Sequence, residues 1–202
     1  MSLAYGAEWY LNENHFHSKL HFDELLDKIL ENINDSSEEF IVKHAVNHPN
    51  EQPESWKALE VVTLNTLSKL YSNLKPQLAE KSKIANEFGL NSSKDFSSWL
   101  RTITFIRNMI AHHSRLWNRV MINAYSWPSN TRFPLLNYFP DTERRKKVFP
   151  IMSAIIYIND IISPGNNLKQ ELFDLLNQFP NTPIYKMGFP PKWKEQPIFK
   201  KV

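Results

Sequence analysis

The sequence predicts an all-α fold, and three observations carry that expectation. Apolar residues recur at helical spacing in almost every periodic stretch, Pro and Gly punctuate those stretches, and no run alternates as a half-buried strand would. Residues 18–33 place Leu25, Leu26, Ile29, Leu30 and Ile33 on one helical face. Ser36 with Glu39 three residues later reads as a capping box opening a second helix over 37–46, which Pro49 ends. A third helix is expected from Pro53 or Glu54 to Leu74, with Trp56, Leu59, Val62, Leu70 and Leu74 as its apolar positions. Pro76 opens a fourth, 77–88, and Gly89 closes it. A fifth is capped by Asn91, Ser92 or Ser93 and runs to about Trp117.

Beyond Arg119 the helical period is lost, and 126–134 reads as a loop. Helix resumes near Asp141, with a kink expected at Pro150, and stops before Pro164-Gly165. A last helix covers 168–178. The proline-rich stretch 179–202 is expected to be an extended tail wrapping the surface through Trp193 and Phe199. The whole, 1–202, is read as a single domain.

Composition narrows the function. With 42% hydrophobic residues, 13 Phe, 6 Trp and 7 Tyr, the chain has material for a well-buried core. The absence of cysteine excludes disulfides, thiolate metal sites and a thiol nucleophile, and it fits a reducing cytoplasm. The most apolar stretch, 148–162, is interrupted by Pro150, Asn159 and Asp160, so no membrane partner is expected. Four glycines leave no phosphate-cradling loop, and no Gly-x-Ser-x-Gly elbow occurs. Charge is divided unevenly. Residues 1–100 carry 9 Lys/Arg against 15 Asp/Glu, and residues 101–202 carry 15 against 6, which makes the second half a candidate for an anionic partner such as RNA.

The fifth helix concentrates chemistry. At about 100° per residue, Trp99, Ile103, Ile106 and Ile110 share a core-facing sector, and His113 falls on the same side. Thr104, Asn108, Ala111 and Arg115 lie opposite, flanked by Arg107 and His112. Singly, each has an ordinary reading: Arg107 and Arg115 as solvated charges, His113 as a satisfied core histidine. Asn108 in mid-helix is mildly unfavourable and invites a reason. Together they put two guanidiniums, an amide and an imidazole on one face.

The segment Arg107-Asn108-Met109-Ile110-Ala111-His112 resembles the Arg-x4-His motif of the HEPN superfamily. The longer run from Arg107 through His113-Ser114-Arg115-Leu116-Trp117-Asn118-Arg119 resembles the signature of the Abi family of abortive-infection proteins (the AbiD/AbiF-like group). Tyr5-Gly6 through Phe16, Trp56 through Leu74, and Met187-Gly188-Phe189-Pro190 with Trp193 are similar to other parts of that family. Asn65 stands where the family tends to have glycine, and relatives usually carry a further helical region ahead of the point where this chain begins.

The resemblance implies a HEPN-like helical bundle and a metal-independent endoribonuclease acting in phage defence, with no cofactor. His112 would serve as general acid/base, since imidazole can take or give a proton near neutral pH. Arg107 would stabilise the phosphorane charge, and Asn108 would orient the pair. Arg115, Asn118, Arg119, Lys146 and Lys147 would hold RNA. One helix supplies one imidazole, so a homodimer with a composite site is expected. An antitoxin protein or small RNA is a further partner consistent with such a toxin. A catalytically silent RNA- or protein-binding module of the same fold is the alternative, disfavoured by the presence of both Arg107 and His112. A metal enzyme is the other rival: His17/His21 and His44/His48 have chelating i, i+4 spacing, but neither pair has an obvious third ligand.

Overall fold

Ten α-helices and five short 3-10 turns account for the regular structure of the described residues, 1–200, of the computed structural model, which contains no strand among them. The helices are α1 (Ser2–Tyr5), α2 (Lys19–Asn34), α3 (Glu39–Asn47), α4 (Ser55–Ala58), α5 (Leu64–Asn73), α6 (Ala79–Glu87), α7 (Ser93–Ala111), α8 (Thr142–Arg145), α9 (Val148–Ile162) and α10 (Leu168–Gln178). The fold class is therefore all-α. The chain forms two compact units, Met1–Ile84 and the residues from Ala85 onward. No helix among the described residues is long and apolar enough to cross a membrane.

In the first unit, α2 packs on α5. The Ser18 hydroxyl caps α2 by accepting from the His21 N–H, and Phe22, Leu25, Ile29 and Ile33 are buried along one face. Asn73, at the end of α5, accepts from the Ser18 N–H at 3.0 Å and donates to its carbonyl at 3.1 Å. The start of one helix is thereby tied to the end of the other. Lys81 is buried, and its ammonium donates to the carbonyls of Ser72 and Leu74, which the end of α5 leaves without helical partners.

Two sequence expectations fail here for local reasons. The capping box does not form: Ser36 accepts from Glu38 only two residues on, and α3 begins at Glu39 without a side-chain cap. The expected long third helix is broken into α4 and α5. Thr63 caps α5 by accepting from the Thr66 N–H at 3.1 Å, an extended conformation that cannot continue a helix from before it. The β-branched run Val61-Val62-Thr63 also favours the break.

The second unit is organised around α7 and α9. Trp99 of α7 is fully buried, set edge-on to Tyr157 of α9 and to Tyr125, and its indole donates to the Ser126 carbonyl at 2.9 Å. Gly89 adopts φ +65°, a left-handed turn after α6, and its carbonyl accepts from the Tyr157 hydroxyl. The kink at Pro150 is instead a break at Lys146 and Lys147, between α8 and α9. Pro150 falls in the first turn of α9, where its missing N–H has no helical acceptor to lose.

The tail is not an extended wrap. It folds into three 3-10 turns, Ile184–Met187, Trp193–Glu195 and Pro197–Phe199. Phe189, Trp193 and Phe199 are buried, with Phe149 of α9 4.7 Å from Phe189 and Phe173 of α10 5.2 Å from Trp193. Aromatic burial holds this segment in place where main-chain periodicity could not.

Candidate functional site

The site lies where α7 emerges from the second unit. Ser92 caps its start, accepting from the Asp95 N–H at 3.2 Å, and the next turn, Phe96 through Trp99, is buried on every side. Toward the C-terminus the helix surfaces, exposing Arg107, Ile110, Ala111 and His112.

The helix ends at Ala111, several residues before the expected Trp117, and the ending has a defined form. His112 is the C-cap, and its N–H bonds to the Asn108 carbonyl at 3.0 Å. His113 takes φ +53°. The His113 N–H bonds to the Ile110 carbonyl at 2.9 Å and the Ser114 N–H reaches back to the Met109 carbonyl at 2.9 Å. These are the two bonds of a Schellman motif, with a histidine where glycine is usual.

This termination corrects the helical-wheel assignment of several residues. His113 is exposed rather than core-facing, because the left-handed turn carries it off the helix. Ile110 is 52% exposed, at the end of the sector that buries Trp99 and Ile106. Thr104, expected on the polar face, is buried, so burial extends beyond the apolar sector of α7, while Lys94, Arg101 and Phe105 stay exposed. Arg115 lies beyond the helix, exposed in an irregular stretch of chain.

Of the candidate catalytic groups, Arg107 and Asn108 are in direct contact: the guanidinium donates to Asn108 Oδ1 at 3.1 Å. His112 follows at the helix end, about 7.5 Å further along the axis. Among the described residues no carboxylate pairs with Arg101, Arg107, Arg115 or Arg119. Four guanidiniums on and after one helix are thus available to an anion.

The candidate RNA contacts differ among themselves. Arg115 and Arg119 are exposed, and Asn118 is half-buried at φ +52°. Lys146 is paired with Glu143 at 2.7 Å, which reduces its availability to a phosphate. Lys147 precedes α9, with its aliphatic stem against Gly188. The segment after the motif is tied to this corner by a bond from the Met121 N–H to the Lys146 carbonyl at 2.8 Å.

The histidine pairs do not build a metal centre. His17 precedes α2 and lacks the helical register with His21. His44 and His48 have their rings stacked with centroids 5.0 Å apart, and no group of three or more His, Asp or Glu side chains suited to a metal occurs among the described residues.

Two grooves border α7, one reaching the motif at Ile110 and the other stopping at Phe105, and neither is visible from sequence. One is apolar, about 310 Å³, lined by Ile106 and Ile110 of α7, α9 residues including Ile151 and Ile155, and Leu168, Leu172 and Leu175 of α10. Amphipathic α10 has no buried residue, so its apolar face lies only partly covered along this groove. The other groove, about 350 Å³, runs between α7 and residues 121–125. Burial pushes the Tyr125 hydroxyl well above its ordinary value.

An all-α chain whose longest helix ends on Arg-Asn-x-x-x-His, with no carboxylate pairing its arginines among the described residues, defines a class of helical protein with a cationic, exposed helix end. The chain belongs to the Abi-like protein family, whose family model matches residues 1–118, through the motif and short of the aromatic tail. At the level of the family, membership associates it with abortive infection, a phage-defence response. No curated protein and no solved structure matches the chain.

Proposed function

We propose that the chain is a metal-independent endoribonuclease of the HEPN type, working in the cytoplasm as a homodimer in abortive infection. The observation that carries the reading is the exposed end of α7, where Arg107, bonded to Asn108, stands one turn and a half before His112 with no carboxylate pairing the arginine. RNA brings its own nucleophile. The ribose 2′-oxygen attacks the adjacent phosphorus, the P–O bond to the 5′-oxygen breaks, and a 2′,3′-cyclic phosphate and a 5′-hydroxyl result. The 2′-proton goes to a base and the leaving oxygen receives one from an acid. His112 fills one of these roles in each copy, and two copies facing across a two-fold axis supply both. Arg107 neutralises charge that grows on the phosphorane oxygens, with Asn108 Oδ1 fixing the guanidinium. Arg115, Asn118, Arg119, Lys146 and Lys147 are the proposed RNA contacts. The partly covered apolar groove of Ile110 and α10 supports a second copy as the partner.

The test is cleavage of single-stranded RNA by the full chain in EDTA. Activity should persist, fall by at least about 100-fold in Arg107→Ala without rescue by Arg107→Lys, and vanish in His112→Ala. Wild-type turnover in His112→Ala would overturn the proposal. RNA binding without any cleavage by the unaltered chain would leave a silent binding module in its place.

A further inference from the structure

The groove between α7 and residues 121–125 has the composition of a nucleotide seat. On α7, Arg101, Phe105, Asn108 and His112 fall within about 60° of one another around the axis and span about 16 Å along it, so the groove opens along the same stripe that leads to His112. Phe105 is 45% exposed and offers an aromatic face. Arg101 is exposed and has no carboxylate partner among the described residues. The opposite wall is main chain. Ile122, Asn123 and Ala124 make no backbone–backbone hydrogen bond among the described residues, leaving their N–H and C=O groups available to a ligand's polar edge.

That wall is also held rigidly. At one end the Met121 N–H bonds to the Lys146 carbonyl at 2.8 Å. At the other, the Arg145 guanidinium donates to the Tyr125 carbonyl at 3.1 Å, the Ser126 N–H to Ser98 Oγ at 2.8 Å, and the Trp99 indole to the Ser126 carbonyl at 2.9 Å. A segment fixed at both ends with free polar groups between them is preorganised for a ligand rather than merely loose. The volume of about 350 Å³ falls within the range of small-ligand sites. An aromatic face, one guanidinium and unpaired main-chain groups are what a single-stranded nucleic acid uses: stacking for the base, charge for its phosphate, hydrogen bonds for the base edge.

We propose that this groove is a nucleotide-binding subsite for single-stranded RNA, in which a base next to the cleaved linkage stacks on Phe105 and its phosphate is held by Arg101. The inference rests on the reading of Arg107 and His112 as the cleavage site, and it lays the strand along α7.

Binding is measured by anisotropy of a fluorescein-labelled 2′-O-methyl oligoribonucleotide, which lacks the nucleophile and so reports binding alone. Phe105→Ala should weaken binding about tenfold, and Phe105→Trp should restore it. Arg101→Gln should reduce the slope of log affinity against log salt by about 0.7, the loss of one single-strand phosphate contact. Both variants should also raise KM on a long oligoribonucleotide. Wild-type affinity and salt slope in Phe105→Ala and Arg101→Gln overturn the subsite, whatever His112→Ala does to cleavage. A change of oligomeric state in Phe105→Ala by size-exclusion chromatography, with RNA affinity kept, also overturns it and assigns the groove to a second copy. If instead the cleavage reading fails, His112→Ala is indistinguishable from the unaltered chain while the Phe105 and Arg101 effects on binding stand.

Discussion

The end of α7 is built on a left-handed histidine, and replacing it gives changes of opposite sign. His113 sits at φ +53° as the left-handed residue of the Schellman motif. A side chain other than glycine costs about 1–2 kcal/mol in that conformation. Glycine removes that cost but adds about 0.4–1 kcal/mol of unfolded-chain entropy. His113→Gly should therefore stabilise by about 0.5–1 kcal/mol, because the exposed imidazole gives up no burial. His113→Val places a β-branched side chain in the same conformation and should destabilise by about 1 kcal/mol. For a chain of this size these energies correspond to shifts of about +2 °C and −3 °C, read from circular dichroism melts at 222 nm and repeated as urea midpoints. The consequence for function follows from position: His112 immediately precedes this turn, so His113→Val should lower RNA cleavage more than its stability loss accounts for, whereas His113→Gly should preserve it. A lower melting temperature for the glycine variant, or no penalty for valine, would refute the assignment of the turn as the strained stop of α7.

Other expectations follow from the two units. The Tyr5 hydroxyl donates to Glu80 at 2.6 Å and Lys83 sits 3.1 Å away, holding the Glu80 carboxyl at about 2, below its ordinary 4.5. A depressed carboxyl stabilises the folded form above its unfolded value and loses that contribution as pH falls, here between about 4.5 and about 2. Tyr5→Phe should flatten the acid limb of a stability–pH curve over that window, and an unchanged curve would rule the contact out as its source. At Gly89, an added methyl would stand 2.3 Å from the Tyr157 hydroxyl and 2.9 Å from the Phe133 ring at φ +65°. Gly89→Ala should destabilise by about 3 kcal/mol, the sum of left-handed strain and overpacking, measured by urea denaturation; a loss below about 1 kcal/mol would show that the turn relaxes freely.

Much of this protein was legible in its residues. The periodic runs of α2 and α10 fall where apolar spacing puts them, and Ser18, Ser92 and Gly89 mark boundaries through local chemistry that needs no distant partner. The proximity of Arg107, Asn108 and His112 follows from helical spacing alone, as does the charge imbalance of the second half. Periodicity failed where a nearby cap competed with it, as Thr63 did in dividing α4 from α5. It also failed in the tail, where Phe189, Trp193 and Phe199 are positioned by rings far away in the chain.

What the sequence by itself determined is therefore the all-α class, most helix boundaries and the identity of the cationic motif, because each depends on interactions within a few residues. What only the tertiary structure decided is which parts of α7 are open. Phe96 through Trp99 disappear into the core and Thr104 is buried further on, while Arg101 and Phe105 border a groove that reaches Tyr125 and Ile110 borders one that reaches Leu175. Exposure is set by what packs against a helix, and no local pattern on the helix encodes its neighbours.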